Sequence, residues 1–193
     1  MKYAQVSSLN SISPIDGRYR NQIEKLSRYF SEKALIYYRL VVEIEYFLSL
    51  VEIPLPQLEA FPNEEIKHLK KIHEKFTDKD ALEVKKIEAK TNHDVKAIEY
   101  FLKDKFDLIG ISKFKEFIHF GLTSQDINNT SIPLSIKNAI KEEYLPDINE
   151  LISNLKKLAD ESKSVSMLAR THGQPASPTK LGKEVKVFIE RLE

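Results

Sequence analysis

The chain has 193 residues, of which 41% are hydrophobic and 31% charged, so it carries enough apolar residues for a folded core. Its 30 Lys and Arg residues nearly balance 29 Asp and Glu residues, and the net charge of +1 lacks the basic excess typical of nucleic-acid or anionic-membrane binding. The absence of cysteine excludes disulfide scaffolds and Cys-ligated metal sites, and no apolar run reaches the ~18 residues of a membrane span.

The N-terminal sequence and the glycine content indicate the compartment and the fold class. Residues 1–15 lack the charged start and continuous apolar stretch of a signal peptide, so we expect a cytoplasmic protein. Only five glycines are present in a chain rich in Lys, Glu, Leu and Ile. Tight hairpins consume glycine and long helices avoid it, so the composition predicts an all-α fold.

The first fifty residues predict an irregular start followed by a buried helix. Residues 1–20 contain several turn formers and a dense polar cluster at 16–20. Between residues 34 and 51, 14 of 18 side chains are apolar or aromatic. We therefore predict a helix over 31–51 that is buried on several sides.

The middle of the chain is predicted to form shorter helices after a proline-rich break at 54–62. Apolar positions 84, 87, 95, 98 and 102 follow the spacing of one helix face. The predicted helices cover 63–76 with Asn63 as N-cap, 79–106, 113–120, and a helix that begins at Thr123 or Ser124.

Two long amphipathic helices are predicted at 144–163 and 178–193, with the heptad-like pattern of helices in a bundle. The last of them continues to Glu193 without a Gly or Pro stop signal. We therefore expect an N-terminal helical domain over 1–120. Residues 121–193 would begin a central helical bundle that is incomplete at its C-terminal end, as in the N-terminal portion of a larger polypeptide.

Two polar clusters in the first half of the chain could carry chemistry. Arg18 and Tyr19 follow Asp16-Gly17, and an Arg fork suits phosphate or carboxylate groups, although a solvated turn explains the same residues. The second cluster is 91–94, Thr-Asn-His-Asp, which we place inside a helix. There His93 would point 200° away from the apolar Val95, so it would be either a site residue or part of a solvated face.

Two further clusters lie in the second half. Thr123 and Ser124 open a helix whose N-terminus could hold an anion, although ordinary capping by Ser124 would use the same residues. Residues 169–176 are predicted as a loop, in which Gly173 and Pro175 constrain the backbone around His172. An imidazole held in this way is able to act as an acid or base near neutrality.

Together, the four clusters resemble the adenylosuccinate lyase family of the fumarase/aspartase superfamily. The segments that carry the resemblance are Ser-Pro-Ile-Asp-Gly-Arg-Tyr at 13–19, Thr-Asn-His-Asp-Val-Lys at 91–96, Thr-Ser-Gln-Asp-Ile-Asn-Asn at 123–129 and Arg-Thr-His-Gly-Gln-Pro-Ala at 170–176. The resemblance implies an all-α homotetramer whose active sites are shared between subunits. It further implies β-elimination of fumarate from adenylosuccinate, which gives AMP, and from the succinyl-carboxamide ribotide of purine synthesis.

The resemblance also implies the role of each residue. His172 matches the general acid that protonates the departing nitrogen. The matching substrate-binding residues are Arg18, Tyr19, Asn92, His93, Asp94, Thr123, Ser124 and Thr171. Neither a metal nor another cofactor is implied, and neither nucleic acid nor a membrane is an expected partner.

The sequence departs from the family at the catalytic base. That base is a serine on a flexible loop of the pattern Ser-Ser-x-Met-Pro-x-Lys-x-Asn, and neither Met1 nor Met167 is followed by Pro. We therefore expect no substantial lyase activity from these 193 residues alone. Two alternatives remain: a fumarate-releasing lyase with another substrate, such as argininosuccinate lyase or aspartase, or a non-catalytic helical module that binds purine nucleotides or assembles with a full-length lyase.

Overall fold

The computed structural model describes residues 11–193, so the first ten residues of the segment checked for a signal peptide lie outside the described part. The described residues form two compact units, one that ends at Asn138 and one from Ala139 to Glu193. The α-helices are α1 (Ser27–Phe30), α2 (Glu32–Glu52), α3 (Glu65–Glu74), α4 (Asp78–Thr91), α5 (Asp94–Leu108), α6 (Ser124–Ala139), α7 (Leu145–Glu161) and α8 (Leu181–Leu192). Short 3-10 helices cover Arg20–Gln22, Glu24–Leu26 and Ser112–Phe117, and a π-helical segment covers Ile140–Tyr144.

Helix α2 is the centre of the first unit, which confirms its prediction as a helix buried on several sides. The Ser31 side chain caps it by accepting a hydrogen bond from the Ala34 amide at 3.1 Å. Most of its apolar side chains are buried, and the Phe47 ring meets the Phe106 ring of α5 edge to face at 4.9 Å. This packing holds α2 in place, and its polar side chains contact the segments before α6 and at the start of α5.

The chain breaks between α4 and α5, where a single helix over 79–106 was predicted. Asn92 has a φ of 51°, which is left-handed backbone, and it ends α4. His93 is extended and forms the N-cap of α5. The prediction of one helix, with His93 inside it, is wrong. The apolar residues keep the spacing of a single helix face across the break, so this spacing gives no sign that Asn92 ends one helix and His93 caps the next.

Two smaller predictions in this unit also need correction. The N-cap of α3 is Glu64 rather than Asn63, and it makes no side-chain capping hydrogen bond. The short helix predicted over 113–120 is a 3-10 helix, and it ends at Phe117.

The second unit pairs α7 with α8 and contains a β-hairpin between them. Ile152 and Ala159 of α7 pack with Ile189 of α8. Strands β1 (Ser166–Thr171) and β2 (Gln174–Lys180) form a two-stranded antiparallel sheet. The prediction of a loop at 169–176 is therefore wrong, although the described part of the chain is otherwise mainly helical, as expected.

The predicted domain boundary at residue 120 stays a prediction. Among residues 11–193, none of the helices is sufficiently long and apolar to cross a bilayer.

Candidate functional site

The structure brings two of the predicted site residues together, His93 and Ser124. His93 Nε2 lies 3.3 Å from Ser124 Oγ, although 31 positions separate them in the sequence. Each stands at the N-terminus of a helix, His93 as the N-cap of α5 and Ser124 as the first residue of α6. A helix N-terminus carries free N–H groups and the positive end of the helix dipole, so both helices present groups suited to an anion.

The hydrogen bonds of His93 determine which ring nitrogen carries the proton. The Lys96 amide donates to Nδ1 at 3.1 Å, so Nδ1 is an acceptor and a neutral ring carries its proton on Nε2. Nε2 then donates to Ser124 Oγ, and the hydroxyl proton of Ser124 is left to donate to a ligand. The pair therefore offers a directed donor for a phosphate or carboxylate oxygen.

Thr123 is used differently from its neighbour. Its amide and its hydroxyl donate to Asp126 Oδ2 at 2.7 and 3.0 Å. These two hydrogen bonds lower the pKa of Asp126 and keep its carboxylate ionised in the first turn of α6. Capping by Ser124, the simpler explanation of this motif, is thus not what the structure shows, because Thr123 and Asp126 form the helix start and Ser124 turns to His93.

The segment that precedes α6 is attached to α2 by two contacts. His119 has a φ of 59° and contacts Glu43 Oε1 through Nδ1 at 2.6 Å. The Tyr46 hydroxyl donates to the Phe120 carbonyl at 2.7 Å. Both contacts fix the chain just before Thr123, so α2 controls where the N-terminus of α6 begins.

Glu43 has no exposed surface, and its second carboxylate oxygen lacks a hydrogen-bond partner. Burial raises the pKa of Glu43 above its ordinary value of 4.5, and the hydrogen bond and charge of His119 only partly oppose the rise. The nearby carboxylate of Glu99 adds to it. The folded protein therefore favours the protonated carboxyl group of Glu43 more strongly than water does.

We expect Glu43→Gln to gain stability relative to the wild type as pH rises. A folded-state pKa above the unfolded value of 4.5 stabilises the protein below that pH, and this contribution is lost as pH rises through the folded pKa. Urea unfolding of both proteins between pH 4 and pH 8 measures the difference. His119 and Glu99 are retained in the variant, and a difference that is constant with pH would contradict the interpretation.

Helix α2 also contributes a buried cation that the sequence prediction missed. Arg39 is 7% exposed, its Nε donates to Asn128 Oδ1 at 2.9 Å, and its terminal nitrogen lies 2.8 Å from Asp94 Oδ2. Burial opposes ionisation of Asp94, but the Val95 amide and the Arg39 charge outweigh it and lower the pKa of Asp94. The one available signal was a lone Arg in the apolar stretch 34–51.

The remaining predicted residues of the first unit, Asn92, Arg18 and Tyr19, make no side-chain hydrogen bond to this pair in the described part of the chain. Asn92 is exposed and ends α4 with its amide bonded to the Glu88 carbonyl at 2.8 Å. The Arg18 guanidinium lies 5.6 Å from the centre of the Tyr19 ring. Within residues 11–138, no hydrogen bond or ion pair joins Arg18 or Tyr19 to His93 or Ser124.

In the second unit, His172 occupies the turn of the β-hairpin. Thr171 pairs with Gln174, so His172 and Gly173 form a two-residue loop with φ values of 50° and 79°. A type I′ turn requires positive φ at both central residues, as found here, and it favours Asn or Gly at the first of them. A histidine there is exposed and held in uncommon backbone geometry, which is typical of a residue retained for its side chain.

The first unit supplies hydrogen-bond donors for anionic groups, and the second unit, taken by itself, presents an exposed imidazole on a defined turn. In the described part of the chain, no three carboxylate or imidazole groups converge as metal ligands would. Hydroxyl and imidazole groups of these kinds are chemically able to donate hydrogen bonds to an organic anion, and an imidazole is able to donate a proton.

Comparisons with known proteins relate these segments to one family. Residues 17–193 match a sequence model described as lyase. The adenylosuccinate lyase of Dictyostelium discoideum is 52% identical over 98% of the chain, that of Legionella pneumophila strain Corby 47% over 97%, and that of Escherichia coli K12 41% over 98%. The chain spans 42% of the length of each of these curated relatives.

Solved structures show the same fold at lower identity. Beta-carboxy-cis,cis-muconate cycloisomerase from Acinetobacter calcoaceticus sp. ADP1 matches with a TM-score of 0.64 and 18% identity over 88% of the chain and 38% of the enzyme. At this identity the match shows a shared fold only. Together with the lyase family match, it confirms the predicted fumarase/aspartase-like helical class. The chain therefore belongs to the lyase family, and it is similar to adenylosuccinate lyases over nearly its whole length.

Proposed function

We propose that this chain forms part of an adenylosuccinate lyase, in which it supplies the general acid and most of the substrate-binding groups. The reaction is the β-elimination of fumarate from adenylosuccinate, with AMP as the other product, and from the succinyl-carboxamide ribotide. The contact between His93 and Ser124 is the observation that carries the proposal, because it assembles two separate segments of the family pattern into one anion-binding arrangement.

The substrates explain why these residue types are present. Adenylosuccinate carries a phosphate and two carboxylates, so its site needs Arg, imidazole, hydroxyl and backbone N–H donors. Ser124 and His93 provide such donors at two helix N-termini. Arg18, Tyr19, Asn92, Asp94, Thr123 and Thr171 are the other proposed substrate-binding residues.

The elimination needs an acid and a base as separate groups. The base removes a proton from the carbon β to the departing nitrogen, and negative charge develops on the neighbouring carboxylate, where fixed donors stabilise it. The C–N bond then breaks, and His172 gives its proton to the departing nitrogen as fumarate leaves. The serine base is proposed to come from a loop that these 193 residues do not contain.

The proposed assembly is a cytoplasmic homotetramer with active sites shared between subunits. The small-molecule substrates are its proposed ligands, and neither nucleic acid nor a membrane has a role in this function.

The test is a chimeric lyase in which residues 1–193 replace the matching segment of the Dictyostelium adenylosuccinate lyase. We expect this chimera to release fumarate from adenylosuccinate with a turnover within about tenfold of the parent enzyme, because His172 and the donor groups are retained. The isolated 193-residue chain should release fumarate at least about 10³-fold more slowly, since it lacks the base.

A substrate panel provides the control. Argininosuccinate and aspartate are assayed in parallel with adenylosuccinate on the same chimera. A folded tetrameric chimera without activity on adenylosuccinate would contradict the proposal, and efficient fumarate release by the isolated chain would refute the assignment of the base.

A further inference from the structure

We propose that Arg39 is a positioning residue, which holds His93 and Ser124 in register for the substrate anion without touching the substrate. The inference rests on the proposed function and adds a residue outside the four sequence clusters. Its side chain is 8% exposed, which leaves little of the guanidinium available to a ligand.

The two partners of Arg39 belong to the two segments that form the candidate site. Asp94 directly follows His93 and is the first residue of α5. Asn128 lies one helical turn beyond Ser124 in α6. A guanidinium presents its donors in a rigid planar fork, so one side chain fixes the distance between the two helix N-termini.

Stability alone does not explain this arrangement. Replacing a buried ion pair by a well-packed apolar side chain is often neutral or stabilising. The Asp94 side chain is 48% exposed, so water solvates it when Arg39 is removed and no buried charge is stranded. We therefore expect the positive charge of Arg39 to contribute little to the stability of the fold. The 3.3 Å contact between His93 and Ser124, in contrast, depends on where α5 and α6 begin.

The test is a double-mutant cycle on kcat/KM in the chimeric lyase, with Arg39→Met and Ser124→Ala. Ser124→Ala removes a hydrogen bond to an anion and should lower kcat/KM about tenfold or more. Arg39→Met should lower it about 10- to 100-fold, because small misplacements of binding groups are costly. In the Ser124→Ala background, the loss of kcat/KM caused by Arg39→Met should be at least about threefold smaller, since one of the two groups that Arg39 positions is gone.

Lys85→Met is the matched control. Lys85 joins Glu32 of α2 to Glu88 of α4 at 2.8 and 2.7 Å, and it contacts neither His93 nor Ser124. Like Arg39, Lys85 connects two helices of the first unit, so its loss measures the effect of a weakened fold. The Lys85→Met effect should be small and equal in both backgrounds.

Asn128→Ala provides a second measurement if Arg39→Met fails to fold. It removes one acceptor and leaves the ion pair with Asp94 intact, and its effect on kcat/KM should likewise be smaller in the Ser124→Ala background. If Arg39→Met or Asn128→Ala lowers kcat/KM equally with and without Ser124→Ala, the positioning role of Arg39 is refuted, while the proposed function is unaffected. An unchanged kcat/KM for Ser124→Ala would overturn the binding role of Ser124 in the proposed function, and the inference would fall with it.

Discussion

His172→Asn should lower kcat of the chimeric lyase by about 10²- to 10⁴-fold, because the departing nitrogen loses its proton donor. The same substitution should leave the thermal midpoint unchanged or slightly raised. His172 has a φ of 50° and precedes Gly173, and Asn-Gly is a preferred pair for a type I′ turn. Loss of turnover without loss of stability would show that the His172 side chain is needed for catalysis and not for the folding of the hairpin.

The kinetic pattern supplies the control for this prediction. A general acid acts in the transition state, so kcat and kcat/KM should fall together while KM stays within a few-fold. Near-normal turnover of a correctly assembled His172→Asn chimera would remove His172 from the role of acid. A rise in KM alone would make His172 a binding residue.

The long helices were predictable because each buries apolar side chains on one face or on several faces, and this burial is visible as a pattern of apolar residues in the sequence. The apolar stretch at 34–51 and the heptad-like patterns near both ends of 144–193 required no knowledge of neighbours, and α2, α7 and α8 are close to their predicted bounds. The break at Asn92 was not predictable from apolar spacing, since α4 and α5 continue in phase. The hairpin was missed because its turn is His-Gly, a weaker signal than Asn-Gly, and its strands lack clear alternation.

The candidate site was predictable in its parts but not in its geometry. The motifs singled out His93 and Ser124, yet nothing in the sequence indicated that the imidazole contacts the hydroxyl. Arg39 and Glu43 were visible only as polar interruptions four residues apart in an apolar helix. Their burial and their partners Asn128 and His119 depend on tertiary packing, which one-dimensional patterns do not contain.

Gly182→Ala should destabilise the second unit by about 3 kcal/mol, an effect typical of severe overpacking. Gly182 is buried in the first turn of α8, and its amide donates to the Ser162 carbonyl at 3.2 Å. An added Cβ would overlap the Ala159 carbonyl oxygen and lie 2.9 Å from the Lys163 backbone nitrogen. These are backbone atoms of the last turn of α7 and of the segment that follows it, so rotation of a side chain cannot relieve the clash.

The sign of the change is what makes this prediction decisive. Helix propensity alone favours Ala over Gly by up to about 1 kcal/mol, so without the clash the variant would be more stable. Urea unfolding should instead give a lower midpoint with an unchanged slope. Lys183→Ala, at the exposed neighbouring position, is the control and should change stability by less than about 0.5 kcal/mol. A more stable Gly182→Ala protein would show that α8 does not lie this close to α7, and the placement of the hairpin that carries His172 would have to be revised with it.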